Sequence, residues 1–425
     1  MSQDSKKQDR THERQYTERV EAALAQLAAG GVVVVVDDFG RENEGDLIAV
    51  SELTTEETVN FMVTHARGMV CQPITAERAR ELELPLMVSR VTDPHRTAFT
   101  VTVDHRDSTT GISAGERART IRSLTEAETK PEDLRRPGHI FPLIAKEGGV
   151  FERRGHTEAA VDMARLAGCS PSGIVCEIMN EDGSMARLAE LELFATEHGL
   201  PLLSVEDLVR YRDAIGDVPV ERLSESRLPT EFGEFRVSVY HSGDPAAEDL
   251  ILLESDGEVG AEGEPGADGE SAGTPLLRLH SECLTGEAFG SRRCDCGPQL
   301  ATSLERIGRE GGALVYLRQE GRGIGLAEKI RAYALQDGGM DTVEANLALG
   351  HQADGRRFGA AAAVLRSRGY REVRLLTNNP EKEASLRRAG IRVVERETLS
   401  VGITPENRSY LQTKISKFGH ALQGV

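Results

Sequence analysis

Three cysteines stand close together in the run His280-Ser-Glu-Cys283-Leu-Thr-Gly-Glu-Ala-Phe-Gly-Ser-Arg-Arg-Cys294-Asp-Cys296-Gly297. Thiolates so spaced suit zinc. A structural zinc takes four protein ligands, whereas a hydrolytic zinc takes three and keeps one position for a water whose pKa it lowers. Cys283, Cys294 and Cys296 supply three, so the run reads as an open, water-activating site. A closed site with His280 as fourth ligand is the competing reading. Three unrelated buried thiols fit least, because a Cys-x-Cys flanked by arginine and aspartate is not a core pattern.

The first half carries a different chemistry. The valine run Val32 to Val36 leads into Asp37-Asp-Phe-Gly-Arg41-Glu42-Asn-Glu44-Gly-Asp46. In extended backbone side chains two apart share a face, which would crowd Glu42, Glu44 and Asp46. Crowded carboxylates call for a hard cation such as magnesium, which binds through one or two protein groups plus substrate oxygens. A solvated acidic turn is the bland alternative. Further on, Arg153-Arg-Gly-His156-Thr157 opens a helical segment that Thr157 can cap and Gly168 can end. Arginine, histidine and free N–H groups at a helix start suit a phosphate, although His156 taken alone reads as a capping residue. Glu177 lies inside the apolar stretch Ser172 to Ile178, where burial would raise its pKa and make it a proton carrier. Facing water at a sheet edge, it would carry no such role. His139 is placed in a Pro-Gly turn.

These residues need elements to hold them. Apolar runs alternate with helical segments from Val20 to Arg212, ending in a closing helix at Glu206 to Arg212. Asp213 to Glu234 mixes proline, glycine, serine and charge without periodicity, so it reads as a linker. Two domains follow, 1–217 and 218–425, with 1–17 as a disordered tail. The second half opens with a strand at Phe235 to Tyr240 and holds an acidic, Gly-rich stretch, Glu254 to Pro275, read as a solvated loop. Strand, turn and helix then alternate: Ala313 to Leu317, Glu320 to Gly325 and a helix to Asp337, then Val373 to Leu376, Thr377 to Pro380, a helix to Ala389 and Ile391 to Val394. The fold class is α/β (α+β layers), each domain a mixed sheet covered by helices. The loop Glu320 to Gly325 can dock an anion on its N–H groups, though its glycines miss the dinucleotide fingerprint. Tyr333 reads as core packing, with a ring contact to nucleotide as the alternative.

A chain of 425 residues with net charge -18 can bury a large core and repels nucleic acid and membrane phosphates. Its six cysteines are too sparse for a disulfide scaffold and fit a reducing cytoplasm. Neither a secretory signal nor a membrane span is evident.

The first half resembles 3,4-dihydroxy-2-butanone-4-phosphate synthase, whose run Arg-Glu-Asn-Glu-Gly-Asp stands at Arg41 to Asp46. Thr109 to Ser113, Arg136 to His139, Gly155 to Ala159 and Cys176-Glu177 continue the match. The resemblance implies conversion of ribulose 5-phosphate to 3,4-dihydroxy-2-butanone 4-phosphate with loss of formate. It implies Mg2+ or Mn2+ on Glu42 and His156, and catalysis by His139 and Glu177. Substrate falls to Arg41, Glu42, Asp46, Arg153, Arg154, Gly155, His156, Thr157 and Glu177. The chain departs from the family at Phe39-Gly40, where two further acidic residues are usual, and at Arg154, where a small residue is usual.

The second half resembles GTP cyclohydrolase II from Arg278-Leu-His-Ser-Glu-Cys283 through Cys294-Asp-Cys-Gly297, Glu320-Gly-Arg322, Asp341-Thr342, Asp354-Gly-Arg356 and Leu376-Thr-Asn-Asn-Pro380. This implies one Zn2+ on Cys283, Cys294 and Cys296, with His280 near the nucleotide. GTP falls to Arg278, Leu279, His280, Ser281, Glu282, Gln299, Glu320, Gly321, Arg322, Thr342, Thr377 and Lys382. Asp354 becomes the proton acceptor and Arg356 the group proposed to attack the α phosphorus. Since arginine stays protonated, electrostatic stabilisation is the competing role for Arg356. The family releases formate and pyrophosphate and leaves 2,5-diamino-6-ribosylamino-pyrimidinone 5'-phosphate.

Together the halves predict a cytoplasmic, homodimeric, bifunctional enzyme of riboflavin synthesis acting on ribulose 5-phosphate and GTP, with no nucleic-acid or membrane partner. The rivals are a paralogue with an impaired synthase half and a regulatory protein that binds GTP without turnover. A zinc-ribbon module would need a second Cys-x-x-Cys pair and a basic face, which the sequence lacks.

Overall fold

The computed structural model describes residues 16–244, 247–257 and 273–425. Of the expected tail, residues 1–15 lie outside that range, and Tyr16 and Thr17 open a helix, 16–28. The acidic stretch lies outside it from 258 to 272. Between Tyr211 and Arg212 the chain divides into two compact units.

The first unit is built on seven strands, β1 (Val33–Val36), β2 (Gly45–Val50), β3 (Cys71–Ile74), β4 (Val103–His105), β5 (Leu134–Ile144), β6 (Gly173–Glu177) and β7 (Leu202–Ser204). Their order is β4-β5-β3-β6-β2-β1-β7. β1 runs parallel to β7 and β3 to β5, while the other neighbours are antiparallel. The valines of β1 are buried throughout, as β-branched residues in a sheet covered on both faces should be. The helix His156–Leu166 lays Ala159, Ala160, Met163 and Ala164 on the core.

Register decides what the sheet presents. Asp46 lies opposite Glu177 across β2 and β6. Cys71 lies opposite both Val175 and Phe141, so two residues earlier Met69 falls between Glu177 and His139. Laterally paired residues share a face, which sets Asp46, Glu177 and His139 in one row across an end of the sheet.

The second unit also has seven strands, β8 (Val220–Thr230), β9 (Gly233–Ser242), β10 (Leu250–Ser255), β11 (Leu276–Ser281), β12 (Gly312–Leu317), β13 (Glu372–Leu376) and β14 (Arg392–Glu397), ordered β14-β13-β11-β12-β10-β9-β8. β14, β13, β11 and β12 are parallel, and β12, β10, β9 and β8 antiparallel. The chain leaves β11 towards Cys283, β12 towards Glu320 and β13 towards Thr377, so the three motif loops meet at the carboxyl ends of parallel strands, where open sheets of this kind bind ligands.

One reading needs correction. Asp213 to Glu234 is not a linker: it finishes the helix Val205–Ala214 and then forms β8 and its turn into β9. β8 is an edge strand exposed along almost its whole length, so neither face imprints a hydrophobic period, and pairing with β9 alone makes it a strand.

Gly312 has φ +139°, and a Cβ there would stand 2.0 Å from the Leu276 carbonyl oxygen. Gly312→Ala should force β11 from β12 and cost about 2 kcal/mol, lowering the second unit's calorimetric transition by roughly 4–8 °C. The first unit's transition should stay in place.

Candidate active sites

In the first unit Asp37 shapes the loop between β1 and β2. Its Oδ1 accepts the Glu44 N–H at 2.9 Å, and its Oδ2 accepts the Glu42 N–H at 3.1 Å and Arg41 Nη1 at 2.8 Å. The loop thereby turns Glu42 to within 3.7 Å of His156 Nδ1, while Asp46 Oδ1 approaches the same nitrogen to 3.6 Å. Glu42 and Asp46 do converge, but through a turn: only Asp46 belongs to a strand. Asp37, Glu42 and His156 each offer a ligand atom within 4.8 Å of the others. His156 is buried, and its Nε2 has no partner.

Burial pushes the Asp46 carboxyl up to about 7 against the pull of His156, with Glu177, Glu42 and Glu44 adding to the rise. Glu42, which partial burial would raise, is drawn down to about 2 by His156 and Arg41. So much negative charge around one imidazole fits a divalent cation with oxygen ligands.

Beside this cluster the helix His156–Leu166 begins at Gly155, not at Thr157; the cap is a glycine without a side-chain bond, and Thr157 is buried in the first turn. Gly168, at φ +80°, follows the helix end as expected. A Cβ on Gly155 would lie 2.5 Å from Arg153 Nη1 and 3.0 Å from Arg41 Nη2, so both guanidinium groups crowd a bare helix start. The Glu158 carboxylate comes as close as Arg41, its Oε2 3.0 Å from the same position. Arg153 is further tied to Glu158 at 2.6 Å and to Thr97 at 3.0 Å.

Glu177, half-buried at the end of β6, accepts the Met69 N–H at 2.8 Å. His139 lies within β5 rather than in a turn, and Asp104 holds it through Nδ1 at 2.7 Å and its N–H at 2.9 Å. The departures from the family pattern leave the cluster intact. Arg154 is engaged by Glu206, and Phe39, 86% exposed, stands in a loop whose turn is held by Asp37 and Asp38.

In the second unit Cys283, Cys294 and Cys296 bring their sulfurs within 4.8 Å of one another, the first two 3.5 Å apart. Gly286 makes the room, since a Cβ there would stand 2.7 Å from Cys294 Sγ. The Cys294 and Cys296 thiols hydrogen-bond the Cys283 sulfur and hold its pKa far below the usual thiol value, helped by Lys329 at 3.1 Å. Lys329 also bonds Glu320 Oε1 at 2.6 Å, and Glu320 Oε2 accepts the Leu284 N–H at 2.7 Å. His280 is not a fourth ligand: its Nε2 meets Glu287 at 2.9 Å, and Glu287 in turn accepts Tyr316 at 2.6 Å. Three thiol sulfurs beside a cleft match the donor set of an open zinc site.

The cleft is lined by Arg278, His280, Ser281, Glu282, Gln299, Glu320, Gly321, Arg322, Thr342, Arg356, Thr377 and Lys382. Five buried polar atoms along it lack a partner: Arg278 Nε, His280 Nδ1, Ser281 Oγ, Arg322 Nη1 and Asn346 Nδ2. Leaving such atoms unpaired is costly, so the wall is shaped for a polar ligand. Burial, with Arg278 and Arg356 adding to it, drives Lys382 well below its usual pKa, and burial brings Arg278 down to about 10. A cleft so rich in cations calls for an anion. Leu279 differs from its neighbours, its side chain packing in the core while its carbonyl accepts Lys382 Nζ at 2.7 Å. Asp354 lies behind Arg356, gripping its Nε at 2.8 Å and Nη2 at 2.5 Å.

Tyr333 is not core packing; it lines the cleft with its hydroxyl 3.3 Å from Thr285. Sequence reasoning missed Asp37, Lys329, Asn346, Tyr410, Lys414 and His420, of which the last five line the cleft. Asn346 alone had a legible signal, four residues from Thr342 and so on the same helix face.

The sequence model of 3,4-dihydroxy-2-butanone 4-phosphate synthase matches residues 21–211, and that of GTP cyclohydrolase II matches residues 221–398. The chain is 53% identical over 405 residues to the riboflavin biosynthesis protein RibBA of Bacillus cereus, the match covering 95% of this chain and 99% of the relative. With the RibBA protein of Bacillus mycoides it shares 53% identity over 406 residues, at the same coverage of 95% and 99%. Among solved structures, RibBX of A. baumannii, a two-domain 3,4-dihydroxy-2-butanone 4-phosphate synthase, is 34% identical with a TM-score of 0.54, over 90% of this chain and 99% of that one. Among the described residues no helix is long and apolar enough to cross a membrane.

Partial burial would raise the pKa of Asp354, but Arg356 overrides it and brings the carboxyl to about 2, below its reference value of 3.8. The folded state thus binds the proton less readily than the unfolded one, so the pair stabilises the second unit above about pH 4 and loses that stabilisation as pH falls through about 2. Urea unfolding between about pH 5 and 2 should show this acid dependence, and Asp354→Asn should flatten it.

Proposed function

The chain belongs to the family of riboflavin-biosynthesis enzymes that join a 3,4-dihydroxy-2-butanone 4-phosphate synthase to a GTP cyclohydrolase II, and from that premise we propose how its residues share the work. It is a bifunctional enzyme, a lyase in its first half and a hydrolase in its second.

In the first unit Arg41, Arg153 and the N–H groups at the start of the helix His156–Leu166 hold the phosphate of ribulose 5-phosphate, with Thr157 beside them. Glu42 and His156, with Asp37 alongside, are the residues that would hold Mg2+ or Mn2+. That ion, when bound, supplies the positive charge that enolisation next to a carbonyl requires. Asp46 and Arg154-Gly155 complete the substrate's surroundings. Glu177 and His139 share the row that faces substrate, and they take and return the proton; Asp104 fixes the His139 ring for the task.

In the second unit Cys283, Cys294 and Cys296 would hold one Zn2+, which supplies the Lewis acidity for hydrolytic opening of the purine imidazole. Arg278, Gln299, Arg322, Thr342, Thr377 and Lys382 hold GTP, together with the 279–282 segment and Glu320-Gly321. His280 stays neutral, since burial carries it down to about 4, and it meets the nucleotide as a hydrogen-bonding group. Arg356 stays cationic in the grip of Asp354 and stabilises the α phosphate by charge rather than by attack. Asp354 is the proposed proton acceptor, a role that requires it to loosen from Arg356, whose grip makes it a weak base. The enzyme works in the cytoplasm as a homodimer on these two small molecules.

The observation that carries the reading is the set of unpartnered buried polar atoms surrounding three convergent sulfurs. Cys296→Ser, or removal of zinc with a chelator followed by restored Mg2+, should abolish formate and pyrophosphate release from GTP while ribulose 5-phosphate is still consumed. Glu42→Gln should do the reverse. GTP opening at the wild-type rate by zinc-free protein would sink the metal assignment, and GTP binding without either product would point to a sensor.

A further inference from the structure

The cyclohydrolase sequence model stops matching at residue 398, before the helix Arg408–Phe418. That helix and the residues around it nevertheless reach four walls of the nucleotide cleft. Lys414 Nζ donates to Asp295 Oδ1 at 2.7 Å, and both residues are buried. Asp295 stands between two of the cysteines. Its Oδ2 accepts Gln299 Nε2 at 2.5 Å, and Gln299 Oε1 accepts Arg278 Nη2 at 2.6 Å, so the contact is relayed to two nucleotide-facing residues. Asn407, at the helix start, donates to the Cys294 carbonyl at 3.3 Å. Lys417 pairs with Asp341, the cap of the helix that presents Thr342 and Asn346. Phe418 lies under the Arg322 guanidinium at 4.1 Å, and the Ala421 N–H donates to the Asn378 carbonyl at 3.0 Å.

Asp295 explains why one of these contacts matters more than the rest. A carboxylate that is 1% exposed and flanked by two metal-binding cysteines needs a counter-charge, and Lys414 provides it. Without the ammonium, an unpaired buried charge would be left beside the thiolates. The turn would then have to open to solvate Asp295, which spreads Cys294 and Cys296.

We propose that the C-terminal helix Arg408–Phe418 is a working part of the cyclohydrolase site, with Lys414 the positioning residue that holds the Cys294-Asp295-Cys296 turn in its metal-binding shape. The inference rests on the zinc reading of the second unit. It assigns a function to a segment beyond the residues that the cyclohydrolase model matches, and by reciprocity it requires zinc to steady the helix as the helix steadies zinc.

Full-length, zinc-loaded protein tests it. Lys414→Met should surrender zinc to a colorimetric chelator roughly tenfold faster than wild type and raise KM for GTP, while Lys414→Arg retains zinc within about threefold. Ribulose 5-phosphate turnover by the same samples should not change. Wild-type zinc retention in Lys414→Met overturns the proposal. Should that variant fail to fold, hydrogen exchange on the wild-type chain decides: zinc should raise amide protection across 408–418 by about tenfold or more, and equal protection with and without zinc overturns the proposal. A wild-type chain that binds no zinc would instead strike at the zinc reading itself.

Discussion

Three sulfur atoms gathered within 4.8 Å of one another cannot all ionise unless a cation lies among them, and the second unit is arranged around that constraint. Each feature nearby serves the convergence. Gly286 clears the volume, Lys329 and Lys414 bring positive charge to the turn, and Glu320 fixes both Lys329 and the backbone after Cys283. The carboxyl ends of β11, β12 and β13 then bring the loops that line the cleft to the same place. Parallel strands deliver loops to one end, whereas a purely antiparallel sheet would scatter them to both.

The first unit meets the same electrostatic problem with oxygen ligands in place of sulfur. Its cluster is short of positive charge, so the burial of Asp46 and the approach of Glu42 to His156 create a site that a hard cation completes. The phosphate site lies beside it at a helix start with no side-chain cap, and Gly155 is the residue that permits both: a side chain there would collide with Arg153 and Arg41. The proposed cation and phosphate subsites thus share one helix end. A substrate that carries both a phosphate and enolisable oxygens can span them.

What the sequence disclosed, and what it withheld, follows from the range of the interactions. The cysteine run, Arg41 to Asp46 and the start of the 156 helix were legible because rare residue types at fixed local spacing make their own geometry. Their supports were not. Asp104 reaches His139 and Lys414 reaches Asp295 across long stretches of chain, and no local period encodes such a pairing. β8 escaped because an edge strand wet on both faces has no pattern to read. Burial was assigned to Glu177 from its apolar neighbours, yet Glu177 is only half-buried, while Asp46, packed against His156, is buried. Tyr333 shows the converse error: an aromatic at helical spacing suggests a core, but its helix turns that ring to the cleft.

Net charge adds a last constraint. Both substrates are anions, and the chain carries a charge of -18, so its long-range field opposes their approach. At physiological ionic strength that field fades over about 8 Å, and what a substrate meets at the mouth of either site is local. The cations are accordingly held inside, Arg278 and Lys414 buried and Arg153 nearly so, instead of being spread over the surface. Buried cations act in a medium that screens them weakly, so a few suffice to overcome the repulsion once the ligand has entered. They also discriminate, because only an anionic ligand repays their desolvation.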